Sequence, residues 1–249
     1  MGNSFFDAGS QRAAKVSDLF TKIARRYDII NDLQSLGLHR RWKRSVVALA
    51  GVRNGDVALD ICSGTGDIAF GLAAQGAEVW ALDFNAQMLD VAARRLEHES
   101  LGASSHRKVT LVRGDAQKLP FADDVFQAVT MGYGLRNLAS WETGLSEIVR
   151  VTKPGGKIAV LEFGKPDNPV WRKLYFLYLR LFVPVLGLLG CRNAAAYAYI
   201  LESLNHYPAQ HGVAQKMSVL GLTKVRVVSI IGGIMSINYG EKPLAALRP

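Results

Sequence analysis

The residues best placed to do chemistry lie where an apolar run stops. Val57-Ala58-Leu59-Asp60-Ile61-Cys62 leads into Ser63-Gly64-Thr65-Gly66, and Ile68 to Ala74 then has helical character. A strand, a glycine turn and a helix can cradle a ligand: Gly64 permits a tight turn, and Gly66 would let backbone approach a ligand where a Cβ would intrude. No Gly-Lys-Ser/Thr follows, which excludes a nucleoside triphosphate P-loop. Ala69 completes Gly-x-Gly-x-x-Ala, a spacing that a dinucleotide site also tolerates. The loop alone does not choose its ligand, and a glycine turn of this kind also occurs without one.

Three acids narrow the choice. Asp60 lies in the first strand, four residues before Gly64. Asp83 ends the run Glu78-Val79-Trp80-Ala81-Leu82-Asp83, 17 residues after Gly66, where a carboxylate can accept both hydroxyls of a ribose. Asp115 follows a third run, in Gly114-Asp115-Ala116, and offers an acceptor to an adenine amino group. S-adenosylmethionine has a ribose, an adenine, a sulfonium and an amino-acid end, but no phosphate. Asp60 suits the ammonium end or a water beside it and would repel a pyrophosphate, while loop N–H groups can meet the carboxylate. Any one of these acids alone reads as a solubilising strand end. Together they fit a cationic, phosphate-free nucleoside better than a nicotinamide dinucleotide.

The elements needed to position these groups are legible in the middle of the chain. Val109 to Val112, Val125 to Met131 and Lys157 to Phe163 are further strand-like runs. Gln87 to Leu96 and Thr143 to Val151 read as helices between them, the second ending before the turn Pro154-Gly155-Gly156. Near-continuous apolar strands alternating with helices predict an α/β fold with a doubly wound, mostly parallel sheet. Gln210 to Leu220, then Lys224 to Ile231 and Ile234 to Tyr239, predict a last helix and two closing strands, making seven in all. The chain divides as one domain over 1–249: a helical cap (1–50), a cofactor-binding core (51–165), a helical insert over the substrate site (168–207) and a closing helix and strands (208–249).

Composition bounds the rest. The 249 residues are 49% hydrophobic and carry 30 basic against 21 acidic side chains. Residues 1–55 are net +6, residues 56–164 net −4 and residues 165–249 net +7, so basic ends flank an acidic middle. Such ends suit an anionic surface, or are ordinary solvated side chains. With no zinc-finger spacing and no aromatic RNP motif, nucleic acid is not expected as a partner. Cys62 and Cys191 are the only cysteines, too few for a disulfide scaffold or a Cys-rich zinc site, and they suit a reducing compartment. No histidine pair has metal-ligand spacing, so no metal is expected. The start lacks a signal-peptide pattern, and Phe6 stands where a myristoylation motif beginning at Gly2 needs Ser or Thr. A cytoplasmic protein is expected. Leu174 to Gly190 is apolar except for Arg180 and is interrupted at Pro184, which predicts two short helices joined near that proline rather than a membrane span. That segment suits a greasy pocket wall, or a surface that dips into a bilayer.

Several segments carry a family likeness: Val16-Ser17-Asp18-Leu19-Phe20, Arg26-Tyr27-Asp28-Ile29-Ile30-Asn31-Asp32, Gly37-Leu38-His39-Arg40-Arg41-Trp42-Lys43, Gly64-Thr65-Gly66-Asp67, Leu119-Pro120-Phe121, Gly134-Leu135-Arg136-Asn137, Lys153-Pro154-Gly155-Gly156 and Leu161-Glu162-Phe163. From about Lys15 onward the chain resembles the ubiquinone/menaquinone biosynthesis C-methyltransferases, the UbiE/MenG family of class I S-adenosylmethionine enzymes. The resemblance implies a Rossmann-like fold and cofactor contacts at Thr65, Asp83, Asp115 and Ala116, with Gly132 at a contact position that is often Ser. It adds these to the contacts the residues suggest at Asp60, Gly64 and Gly66. Cys62 and Ser63 depart from the family, where Ala and Gly are common, as does Ile234 to Tyr239.

The chemistry the resemblance implies is C-methylation of a prenylated quinol in menaquinone, phylloquinone or ubiquinone biosynthesis. The run Met131 to Asn137 looks closer to members acting on naphthoquinols, which favours demethylmenaquinol. The candidate catalytic residues are Arg136, Asn137 and Tyr27, with Asp28 behind them. Arg136 would stay cationic and stabilise an oxyanion, or form a structural ion pair. Asn137 would orient a water. Tyr27 would cap or bond the substrate ring, or anchor the N-terminal helix. His39 is expected to hold the Trp42 helix. A membrane-dissolved substrate implies a protein peripheral at the membrane, and a homo-oligomer is compatible with the sequence. The alternatives are a methoxy-benzoquinol methylase, a methyltransferase of another small molecule and a non-catalytic S-adenosylmethionine-binding subunit.

Overall fold

The computed structural model describes residues 18, 20, 21, 24, 27–100, 108–191 and 195–244. The remainder of the cap before Tyr27, with Met1-Gly2 and most of the first family segment, lies outside the described residues. The cap that is described contains α1 (Tyr27–Ser35) and α2 (Leu38–Ala50), joined through Gly37, whose φ of 76° is a left-handed turn that suits glycine. The core follows as β1 (Val57–Ile61), α3 (Asp67–Ala73), β2 (Glu78–Asp83), α4 (Ala86–Ser100), β3 (Val109–Arg113) and β4 (Phe126–Gly132). Next come a 3₁₀ turn (Leu135–Asn137), α5 (Trp141–Val151) and β5 (Thr152–Phe163). The insert is α6 (Pro169–Cys191) and α7 (Ala195–His206), and α8 (Ala209–Val219), β6 (Thr223–Ile230) and β7 (Met235–Glu241) close the chain.

The described strands form one seven-stranded sheet in the order β3-β2-β1-β4-β5-β7-β6. Strands β1 to β5 pair in parallel, and β7 runs antiparallel between β5 and β6. Parallel strands covered on both faces must be apolar on both faces. Leu59, Ile61 and Met131 accordingly pack on one side with Leu145, Ile148, Tyr175, Leu179 and Leu204. Ala58, Val79 and Ala81 pack on the other with Val46, Val47 and Leu72. One layer is therefore built from α2, α3 and α4, and the other from α5 and the later helices.

Two expectations need correction. The structure carries a single helix from Pro169 to Cys191 straight through Pro184. A proline removes one i→i−4 bond and usually bends a helix, yet this helix continues on both sides of it. The fifth strand begins at Thr152 rather than Lys157: Thr152 pairs with Phe126 and Lys157 with Ala128, so the Lys153-Pro154-Gly155-Gly156 segment loops out between two pairings. Gly155 takes a φ of 78° there and donates its N–H to the Lys242 carbonyl at 2.8 Å. Among the described residues no helix is long and apolar enough to cross a membrane.

Candidate functional site

The carboxyl ends of β1, β2 and β4 open onto a cleft of about 800 Å³, part of it open to solvent. In an open parallel sheet this is where ligands bind, because the strand order reverses on either side of β1. Gly64, Asp83, Asp115, Ala116, Gly132 and Asn137 all line it, with Leu82, Met88 and Leu138 as apolar walls and Phe20 and Tyr27 closing it from the cap. A smaller cavity continues behind the loop, bordered by Asp60, Ser63, Thr65 and Lys43. Tyr27, Cys62, Gly64, Gly132 and Tyr133 border both, so they mark the junction.

The two glycines of the loop differ in role. Nothing lies within 4 Å of a Cβ built on Gly64, so that position faces open space. A Cβ on Gly66, at φ 92°, would sit 2.6 Å from the Phe70 ring. Gly66 borders neither cavity, and its close approach is to protein, contrary to the expectation that it admits a ligand.

The acids separate in the same way. Asp83 stands in the cleft, and its carboxylate accepts the N–H of Gly64 and of Asn85, both at 2.8 Å. Burial pushes its pKa up, and those N–H groups pull it back. Lone pairs remain for a ligand hydroxyl. Asp115 accepts the Gln117 N–H at 2.8 Å at the cleft's far end. Asp60 is only 1% exposed, and its oxygens accept from Thr130 Oγ1 at 2.8 Å and from the Ala69 N–H at 3.1 Å. It clamps the first turn of α3 onto β4, and burial pushes its pKa up to about 7.

Thr65 faces away from the main cleft. Its hydroxyl donates to Asp28 Oδ1 at 2.9 Å, and its carbonyl accepts from Arg95 at 2.8 Å. Arg95 and Lys43 both reach Asp67 at 2.7 Å. Burial of Asp67 opposes its ionisation, but the two cations outweigh that and hold its pKa at about 2. Asp28 therefore belongs to a charged latch that ties α1 to the glycine loop.

Of the three catalytic candidates, Tyr27 and Asn137 line the cleft and Arg136 does not. Arg136 is buried behind Tyr133, with its guanidinium 2.7 Å from Glu162 and stacked 4.7 Å from the Phe163 ring centre. Arg136 Nη1 and Asn137 Nδ2 both donate to the Tyr133 carbonyl, at 3.0 and 2.8 Å. Tyr133 needs that support, because its φ of 59° is a left-handed conformation disfavoured for a bulky side chain. Burial raises the Tyr27 pKa, only partly offset by the charges of Lys43 and Arg136, so its phenol stays protonated at neutral pH. His39 is buried against Asp32 at 2.9 Å, as expected of a structural residue.

Sequence reasoning gave no role to Tyr133, Glu162, Ser63, Tyr175 or Tyr207. The Ser63, Tyr175 and Tyr207 hydroxyls are buried with no hydrogen-bond partner among the described residues. The two phenols sense the charges of Arg136 and Glu162. Glu162 was visible as the acid inside an apolar strand, where burial demands a partner. Among the described residues no cluster of His, Cys, Asp and Glu could hold a metal ion.

The model of the ubiE/COQ5 methyltransferase family matches residues 7–242. The chain belongs to that family. A relative from Azotobacter vinelandii, a ubiquinone/menaquinone biosynthesis C-methyltransferase, is 40% identical over 94% of this chain and 92% of its own length. A demethylmenaquinone methyltransferase from Desulfitobacterium hafniense is 38% identical over 95% and 93%. An Aquifex aeolicus S-adenosylmethionine-dependent methyltransferase of known structure superposes with a TM-score of 0.56 at 18% identity, covering 80% of this chain and 88% of its own. That likeness shows the fold, a class I, Rossmann-like methyltransferase sheet. As a ubiE/COQ5 methyltransferase, the chain uses S-adenosylmethionine as its methyl donor. The site fits that group: open space over Gly64, a carboxylate at Asp83 and apolar walls for a base in the cleft, and the orphaned Ser63 hydroxyl in the smaller cavity that adjoins it.

Proposed function

We propose that this ubiE/COQ5 methyltransferase methylates a ring carbon of a prenylated quinol, demethylmenaquinol in preference to a methoxy-benzoquinol. What supports this most is that Tyr27, Asn137 and Tyr133 border the same cleft as Asp83 and Asp115, in a chain that matches quinone-biosynthesis relatives almost end to end.

The donor brings an already electrophilic sulfonium methyl, so the protein's task is placement. Asp83 would take the ribose hydroxyls, Asp115 the adenine amino group, and Leu82, Ala116, Met88 and Leu138 the faces of the base. The Ser63 hydroxyl would take the methionyl end, with Asp60 holding the loop from behind. The methyl would then face the junction bordered by Tyr27, Gly132 and Tyr133. There Tyr27, as a protonated phenol, donates to a ring oxygen, and Asn137 orients the ring hydroxyl or the water that takes its proton. Loss of that proton sends charge to the adjacent carbon, which becomes the nucleophile; it would take the methyl as the methyl–sulfur bond breaks, and the hydrogen on that carbon then leaves as a proton so that the ring regains its aromaticity. Arg136 acts as a positioning residue, since its hydrogen bond to Tyr133 and its pair with Glu162 hold the turn that presents Asn137. Alignment at attack distance contributes roughly 7–11 kcal/mol to such a step. Because the substrate's tail dissolves in the bilayer, the protein works from the cytoplasm, peripheral at the membrane.

The test is methyl transfer from labelled S-adenosylmethionine to a short-tailed demethylnaphthoquinone, with and without reductant. Product only with reductant is expected. Methylation of the methoxy-benzoquinol instead would move the substrate. No transfer to either would leave a cofactor-binding subunit without this activity.

A further inference from the structure

Helix α6 has two unlike faces. Tyr175 and Leu179 are each 3% exposed and pack into the core beside the Arg136–Glu162 pair. Val170, Trp171, Leu174, Leu177, Tyr178 and Leu181 are 38–65% exposed. At about 100° per residue these six fall within an arc about 120° wide. Lys173 and Arg180, both exposed, border that arc on its far side from the buried face. Trp171 also donates its indole N–H to the Ile231 carbonyl at 3.1 Å, and Ile231 is itself 45% exposed, so the apolar surface runs on to the β6–β7 corner. Water-soluble surfaces rarely leave a contiguous greasy strip of this kind uncovered.

Charge identifies what covers it. Between Asp167 and Glu202 the chain has no acidic residue, while Arg172, Lys173, Arg180 and Arg192 are basic. A protein partner would normally answer a mixed surface with mixed charge. A strip of leucines with Trp and Tyr, flanked along the helix by Lys173 and Arg180 and meeting an acid only at its start, where Asp167 is paired with His211 at 2.7 Å, matches an anionic lipid surface, where apolar side chains enter the acyl boundary and Lys and Arg stay at the headgroups.

We propose that α6 docks lengthwise on an anionic bilayer through its Val170-to-Leu181 strip, so that one helix separates the lipid from the catalytic side of the sheet. This rests on the quinol reading above and deepens it by naming the face that meets the substrate's solvent. The buried face of the helix then lies one helix thickness from the membrane, on the same side of the sheet as the Arg136–Glu162 pair.

The full chain is tested against vesicles of phosphatidylcholine alone and with phosphatidylglycerol added. Cosedimentation with the anionic vesicles only, weakened by salt, is expected, with a blue shift in tryptophan emission that Trp171→Phe removes. Changing Leu174 and Leu177 together to Glu, on the exposed side where folding does not need them, should weaken vesicle binding at least tenfold. It should leave turnover of a short-tailed quinol in solution unchanged and abolish turnover of a long-tailed quinol in vesicles. Equal vesicle binding by the double variant and the parent overturns the proposal. So does a dimer in vesicle-free solution that the double variant splits, since the strip would then be covered by a second copy. Failure of the quinol reading appears separately, as absence of turnover on the short-tailed substrate with vesicle binding intact.

Discussion

The Arg136 guanidinium and the Glu162 carboxylate meet at 2.7 Å with side chains only 5% and 1% exposed, one layer behind the cleft rather than in it. Glu162 also accepts the backbone N–H of Arg136 at 3.3 Å, so the acid grips both ends of the residue. Burial pushes the Glu162 pKa up, and the Arg136 charge opposes it. Removing one partner strands the other charge, which typically costs about 3–5 kcal/mol. Arg136→Ala should therefore lose both stability and activity. Glu162→Gln keeps the shape and should lower kcat roughly tenfold or more while leaving the donor's Kd within about twofold, a tenfold loss being ~1.4 kcal/mol. Steady-state kinetics with a calorimetric Kd for S-adenosylhomocysteine checks it. A changed Kd with unchanged kcat would show that the pair serves the cofactor instead.

The latch from Asp28 to Thr65 should be felt at the cofactor. A hydrogen bond to a charged group contributes about 1.5–3 kcal/mol, so Asp28→Ala is expected to weaken S-adenosylmethionine binding by about tenfold or more. Thr65→Val should reproduce most of this. Asp28→Ala combined with Thr65→Val should add little, since both remove one contact. Titration calorimetry on the three variants reads it directly.

Gly64 and Gly66 should respond to alanine in opposite ways. Gly66→Ala drives a methyl into the Phe70 ring at a strained φ and should cost about 1–3 kcal/mol of stability in denaturant unfolding. Gly64→Ala meets no protein atom, so its stability loss stays near the cost of its φ of 56°, while cofactor affinity drops sharply. A large stability loss at Gly64 would place that residue in the packing and not at the ligand.

Asp60 predicts a pH dependence with a definite sign. Its folded pKa of about 7 lies above its ordinary value of 3.8, so the stability it contributes is complete below about 4 and is lost as pH rises through 7. Unfolding in urea at pH 5.5 and 8.5 should show the parent losing stability between the two. Asp60→Asn should flatten that difference, since the amide can still accept from one neighbour without ionising. An unchanged slope would exclude Asp60 as its origin.

What the sequence disclosed was local and periodic. The apolar runs of β1 and β2, the turn at Ser63 to Gly66 and the acids at Asp83 and Asp115 could be placed because each signal spans only a few residues. Thr65 marks the limit of such signals: the partner of its hydroxyl, Asp28, lies 37 positions away, and nothing local announces that contact. Of the two readings of Arg136, the structure shows the ion pair, because the 3₁₀ turn at Leu135 to Asn137 sends adjacent side chains in different directions, Asn137 to the cleft and Arg136 to Glu162. Pro184 misled because a breaker's local cost was weighed without the long apolar helix around it.

The placement of β7 between β5 and β6 has a consequence for how the molecule is made. Strand β6 bonds only to β7 among the described strands, so as it emerges during synthesis it has no place in the sheet. It must wait for residues 235–241, which bond on both sides. The five parallel strands can assemble while the chain is still growing, but this edge of the sheet closes only once residues 235–241 have emerged. A premature stop before residue 235 would remove two strands from the sheet, the second by leaving it nothing to hold.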